Sequence, residues 1–226
     1  MELHKSIKPD NKYSISINDS YMEYFEKAYK FTRENYDEDY SRIADTRFNE
    51  LTIESFSLEY QWVVYTSGFN AKIVSKMFPK LREVYAPLID VLAGTTTNVN
   101  SIDIAVNALG ICNNKRKVKS VIDMAFECGA KVRTMGWKTY RDAYFGTPEK
   151  LQELPFIGPT TCFHLARNIG LLDFVKPDVH LKRLAAHWGF KDPVALCAAI
   201  KIKHDMPLGL IDLCLFYAAS TFGSKS

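Results

Sequence analysis

The chain has no C-x-x-C pair, and its five cysteines, Cys112, Cys128, Cys162, Cys197 and Cys214, are widely spaced. An odd, scattered set excludes a disulfide-stapled scaffold and a clustered zinc site, so reduced thiols in a cytoplasmic protein are expected. Charge of one sign is scarce too. The formal net charge over 226 residues is only +3, and any contact with a polyanion must therefore be a local patch. No apolar run approaches membrane-spanning length, and Met1-Glu2-Leu3-His4-Lys5 lacks the apolar core of a secretory signal. A protein with no membrane contact is expected. There is no internal repeat and no low-complexity tract.

What is present is ordinary globular composition, 47% hydrophobic and 24% charged, in a chain long enough to bury a sizeable core. The periodicity is almost wholly helical. Tyr21, Tyr24, Phe25, Ala28 and Phe31 follow the capping run Asn18-Asp19-Ser20 and read as an amphipathic helix to about Tyr36. Asp37 to Asp39 reads as a polar break. A helix from Thr52 carries Phe56, Tyr60, Val63 and Val64 and ends near Ser67-Gly68, with another to about Tyr85. Further helical patterns cover Ser101–Leu109, Lys117–Gly129, Thr139–Phe145, Val179–Trp188, Pro193–Lys203 and Leu208–Ala219. Only Lys12 to Ile17, with Tyr13, Ile15 and Ile17 alternating, suggests a short strand or extended arm.

The most informative stretch is Leu151 to Leu184, LQELPFIGPTTCFHLARNIGLLDFVKPDVHLKRL. Thr147 and Pro148 start a short helix that Pro155 stops, Pro155-Phe156-Ile157-Gly158 forms a hairpin, and a second helix starts at Pro159 and runs to Gly170. A hairpin that aims backbone amides and a helix N-terminus at one point suits a phosphate without any basic side chain. Upstream, Lys115, Arg116, Lys117 and Lys119 cluster at a helix start, where they oppose the dipole unless an anion is near. A solvated face explains such a run equally well.

Leu154-Pro155-Phe156-Ile157-Gly158-Pro159-Thr160-Thr161-Cys162 resembles the LPGhGxxTA hairpin of the helix-hairpin-helix (HhH-GPD) DNA glycosylases. Lys176-Pro177-Asp178-Val179-His180-Leu181-Lys182-Arg183 resembles the D-x-H-x-x-R segment that carries that family's catalytic aspartate, at a fitting distance. Tyr65-Thr66-Ser67-Gly68-Phe69-Asn70 and Asn113-Asn114-Lys115-Arg116-Lys117-Val118 are more weakly similar to its early helix junction and its N-x-x-K-A segment. The likeness spans roughly residues 50 to 220 and is strong only in the centre.

The resemblance implies an all-α, two-lobed fold. One helical lobe comes from both chain ends (residues 1–59 and 176–226), and a helical barrel (60–175) contains the helix-hairpin-helix at 148–170. It implies a monomer that binds double-stranded DNA holding a damaged or modified base, flips that base and hydrolyses its N-glycosidic bond, leaving an abasic site. Base excision repair and excision of modified bases from phage DNA both fit that activity. Asp178 would be catalytic, because a carboxylate beside C1′ stabilises the cation-like sugar and orients the attacking water. A plain helix cap is the alternative role for Asp178. Phe156, Ile157, Gly158, Thr160, Thr161, His180, Arg183, Lys115 and Lys117 would hold the DNA backbone. Phe69 would be the wedge that replaces the flipped base and Asn70 would meet the orphaned partner, although a core phenylalanine and a helix cap serve equally.

Trp62, Tyr65, Phe163 and Tyr217 are candidate walls of a base pocket, as are Trp137, Trp188 and Phe216, unless they are simply core. The tight four-cysteine cluster that holds an iron-sulfur centre in some relatives is missing. No metal held by side chains is expected, and the hairpin carbonyls are candidate ligands for Na+ or K+. Two departures stand out. Thr160 occupies the position of the lysine used by bifunctional relatives, which favours a monofunctional enzyme, although Lys176 and Lys182 keep a glycosylase/lyase open. Phe156 stands where the family has glycine, so either the hairpin is altered or the phenyl ring faces the DNA. A catalytically silent module that binds DNA and recruits partners is the reading from a different class.

Overall fold

The computed structural model describes residues 15–223, and these hold thirteen α-helices and no strand. Chain contacts divide the described residues into two units, one built on Arg47–Ile169 and one on the segments either side of it, residues 15–46 and 170–223.

The flanking unit contains α1 (Tyr21–Asn35), α2 (Asp37–Asp45), α11 (Val179–His187), α12 (Pro193–His204) and α13 (Leu208–Phe222). Helix α13 is its axis. Leu210, Ile211, Leu213, Cys214, Leu215, Ala218 and Ala219 are all buried, so the helix is apolar on every side and must be surrounded. Phe25, Ala28 and Phe31 of α1 join the same core, which makes the aromatic stripe of α1 a packing face. Each phenyl ring so buried contributes roughly 1.5–3 kcal/mol. Ser20 caps α1 in a reciprocal box with Glu23.

The polar run Asp37-Glu38-Asp39 is the first turn of α2, not a break. Three carboxylates there suit the positive end of the helix dipole, and Arg33 Nε lies 2.6 Å from Asp37 Oδ1. The expected strand at residues 12–17 falls partly outside the described residues. Ile15 and Ile17 are in no strand and pack, partly buried, on this core.

The central unit contains a 3-10 turn (Phe48–Glu50) and helices α3 (Ile53–Thr66), α4 (Ala71–Tyr85), α5 (Leu88–Leu92), α6 (Ser101–Ile111), α7 (Lys115–Met135), α8 (Trp137–Tyr144), α9 (Pro148–Leu151) and α10 (Thr161–Asn168). Its lower boundary falls before Arg47 rather than at residue 60, because residues 47–59 are tied to α8. Trp137 Nε1 donates to Leu51 O at 2.7 Å and Arg141 Nη1 donates to Asn49 O at 2.5 Å. Its upper boundary is Ile169, not residue 175.

Helix α7 runs straight through Gly129, where a helix end was expected. A Cβ at Gly129 would meet Val91 O at 2.0 Å, so the glycine marks the close approach of α5 rather than a turn.

Candidate functional site

Hairpin residues 152–160 link two helices shorter than the periodicity suggested. Helix α9 is one turn, and α10 starts at Thr161 rather than Pro159. Phe156 takes the left-handed conformation with φ +67°, so the hairpin keeps a glycine-type backbone while holding a phenylalanine. That conformation costs about 1–2 kcal/mol for an L-residue. The ring recovers much of it, because Arg116 Cζ lies 5.2 Å and Lys117 Nζ 5.4 Å from its centroid, contacts of about 0.5–1 kcal/mol each.

Tyr60 anchors the hairpin from below. Its hydroxyl lies 2.6 Å from Pro155 O and 3.1 Å from Ser120 O and donates to that carbonyl pair.

Two hairpin amides are spent internally. Ile157 N–H donates to Leu154 O at 3.1 Å and Gly158 N–H donates to Thr161 Oγ1 at 2.7 Å. Cys162 N–H returns to Gly158 O at 3.0 Å. An anion would therefore meet the Thr160 and Thr161 amides, not those of residues 157 and 158. Thr160 is exposed, Thr161 half-buried, and the Ile157 side chain is core. Of the carbonyls considered for a monovalent cation, those of Leu154 and Pro155 already accept a proton donor. Among the described residues no cluster of His, Cys, Asp and Glu could hold a metal ion.

The basic cluster at the start of α7 splits in two. Lys115 and Arg116 are exposed, and Arg116 reaches the hairpin through Phe156. Lys117 turns inward and is 2% exposed, which corrects its assignment to the DNA backbone. Its Nζ donates to Val64 O at 2.7 Å, Tyr65 O at 2.8 Å and Ser67 O at 2.6 Å. Those are carbonyls that the end of α3 leaves without helical partners, so the ammonium is the C-terminal cap of α3. All three protons are committed, and none remains for a phosphate. Burial lowers this lysine to about 8.

Phe69 follows the Gly68 turn at φ +74°, is 40% exposed, and lays its ring 4.1 Å from Lys117 Nζ. Asn70 is the N-cap of α4, its Oδ1 accepting from Lys72 N–H at 2.8 Å, so the capping role is the one the structure shows.

Three candidate pocket walls are core instead. Trp62 is 7% exposed and packs edge-on to Phe78, while Tyr65 is buried with its hydroxyl 2.6 Å from that of Tyr85. Tyr217 stacks flat on Tyr36 at 4.0 Å and donates to Asp39 Oδ2. A stacked base would need an open ring face, and none of these offers one. Trp137 and Trp188 spend their indole N–H on Leu51 O and Asp19 O. Phe163 on α10 is half-buried.

In the flanking unit, Asp178 caps α11. Its Oδ1 accepts from His180 N–H at 2.9 Å and Leu181 N–H at 3.1 Å. Its Oδ2 is enclosed, accepts no hydrogen bond, and lies 3.7 Å from Lys176 Nζ. Lys176 in turn stands 5.2 Å over the Phe216 ring, which the His180 ring meets edge-on at 5.9 Å. Arg183 is exposed on the same helix.

Sequence reasoning missed Asp212. This residue is 1% exposed on α13, and its Oδ2 accepts the Lys176 N–H at 2.9 Å, fixing the backbone two residues before Asp178. The signal was there: it is the only charge in LGLIDLCLFYAASTF. No family model, curated protein or solved structure matches this chain.

Proposed function

We propose that the protein is a monofunctional DNA glycosylase that uses Asp178 to hydrolyse the N-glycosidic bond of a damaged or modified base in duplex DNA. The observation that carries this reading is the state of the Asp178 carboxylate: one oxygen is locked by two amides, and the other is enclosed without a hydrogen-bond donor beside an ammonium. A cap needs only the first oxygen. The second faces the Lys176 ammonium and accepts no hydrogen bond, so its acceptor capacity is left over for a water or a developing sugar cation once the site opens to one.

Support on the DNA side comes from the hairpin. Its glycine-type backbone persists around Phe156, Thr160 and Thr161 stand at the start of α10, and the exposed Arg116 lies over the Phe156 ring. Thr160 has no amine at the position the bifunctional enzymes use, which favours a reaction that ends at an abasic site; Lys176, 3.7 Å from Asp178, is the amine that borohydride trapping on abasic DNA would test.

The test incubates the protein with duplexes that each hold one oxidised, alkylated, deaminated, mismatched or hypermodified base, followed by alkali. Alkali-dependent cleavage that disappears in Asp178→Asn supports the proposal, and cleavage unchanged in that variant overturns it.

The two amide bonds to Asp178 Oδ1 also favour a second reading, in which Asp178 is a helix cap and the protein binds DNA without chemistry. Salt-dependent duplex binding with no abasic sites on any substrate would select it.

A further inference from the structure

Phe69 and Phe156 sit on separate loops, yet the same ammonium touches both rings. Lys117 Nζ is 4.1 Å from the Phe69 centroid and 5.4 Å from that of Phe156, and its three protons hold Val64 O, Tyr65 O and Ser67 O. The remaining carbonyls at that end are occupied locally. Val63 O accepts Ser67 N–H at 3.1 Å and Thr66 O accepts Phe69 N–H at 3.2 Å. The Ser67-Gly68-Phe69 turn is thus closed by Lys117, and removal of the ammonium would leave two buried carbonyls and the half-buried Ser67 carbonyl without that donor.

A purely structural cap does not require aromatic neighbours. Here the ammonium is covered by one ring that is 40% exposed and by another on a backbone that disfavours any residue but glycine. The Phe156 ring also lies 5.2 Å from the Cζ of the exposed Arg116.

We propose that Lys117 is a positioning residue that sets Phe69 and Phe156 as one paired aromatic contact for duplex DNA, with Lys115 and Arg116 supplying the phosphate attraction beside it. The partner rests on the glycosylase reading above; the coupling of the two rings does not. Aromatic side chains engage bases by stacking or by entering a base step, and two rings fixed to one point act together rather than independently.

The experiment places 4-fluorophenylalanine at position 69 or 156 and records fluorine spectra of the free protein with Lys117 intact and as Lys117→Met, which keeps the stem and removes the charge. Both resonances shift in Lys117→Met and neither shifts in Lys119→Met, whose lysine pairs with Asp123. Duplex affinity falls about tenfold in Lys117→Met, and adding Phe69→Ala to that variant costs less than it does alone. Unchanged resonances, or losses that add, overturn the proposal.

Should Lys117→Met fail to fold, the wild type is titrated. Near Lys117 are the Cys112 thiol, which burial raises, and the Tyr65 phenol, which burial raises to about 12 and whose ring centroid lies 5.9 Å from Nζ, while the Arg116 guanidinium shares the Phe156 ring with it. A shared midpoint near pH 8 in both resonances therefore reports Lys117, and separate or absent midpoints refute the coupling. A wild type that binds no duplex while its rings titrate together overturns the DNA reading alone.

Discussion

The backbone N–H of Lys176 donates to the buried carboxylate of Asp212 at 2.9 Å, so the apolar axis of the flanking unit holds the segment that delivers Asp178. An amide bonded to an enclosed carboxylate oxygen is a firm tether for a loop, because breaking it leaves a buried polar group unpaired. Replacing Asp212 by Ala should cost about 1–3 kcal/mol in urea unfolding, because the Lys176 amide loses its acceptor. Asp212→Asn should recover most of that loss by keeping an acceptor oxygen. Equal losses in both variants would mean that the charge, not the acceptor, holds the segment.

Asp178→Asn and Asp178→Ala should separate cap from catalyst. Asparagine keeps the cap but loses the charge beside Lys176, so Tm should fall less in Asp178→Asn than in Asp178→Ala, which also loses a cap of about 1 kcal/mol. Base release should fall by at least about a hundredfold in both, since neither carries the charge that stabilises the sugar cation. Thermal melts alongside alkali-revealed cleavage read the two effects separately.

Phe156→Gly tests the strained hairpin. Relief of about 1–2 kcal/mol of backbone strain opposes the loss of two cation–ring contacts of about 0.5–1 kcal/mol each and the extra freedom of glycine when unfolded. Stability should therefore change by less than about 1 kcal/mol, while duplex affinity falls. A fluorescence-anisotropy titration with undamaged duplex checks the second half.

Two glycines in helices should respond with opposite signs. Gly129→Ala drives a Cβ to 2.0 Å from Val91 O and should destabilise by at least about 2 kcal/mol. Gly110 on α6 has nothing within 4 Å of its Cβ position, so alanine there should stabilise by about 0.5–1 kcal/mol. Chemical denaturation of the pair decides both.

Stability should have a maximum on the alkaline side. Burial lowers Lys117 from 10.5 to about 8, so between those values the unfolded chain holds a proton that the folded chain has released, and stability rises with pH. Burial acts in the opposite sense on thiols and phenols. Cys128 is raised from 9.0 to about 11 and Tyr65 from 10.0 to about 12, and their contribution, complete below the unfolded values, is lost as pH climbs through the folded ones. Urea midpoints under reducing conditions should rise from about pH 7 to about pH 9 and then fall, and Lys117→Met should abolish the rise.

Helix content, the cap at Ser20 and the hairpin between Pro155 and Gly158 were legible in the residues, with caps at Asn70 and Asp178 standing there as alternative roles, because capping and turn chemistry act within a few positions of one another. The 3.6-residue period of Phe25, Ala28 and Phe31 likewise identified a packing face without any knowledge of what covers it. Contacts distant in the chain were not legible. A glycine that ends a helix and one that admits a neighbouring backbone look alike in sequence, and only Val91 O distinguishes Gly129. A lysine in a basic run reads as a solvated or phosphate-bound charge. Lys117 is neither, because the carbonyls that claim it lie some fifty residues earlier, at the end of α3. Which aromatic rings are core and which stand open is decided by what packs on them, and that is a property of the assembled helices rather than of any residue's own neighbours.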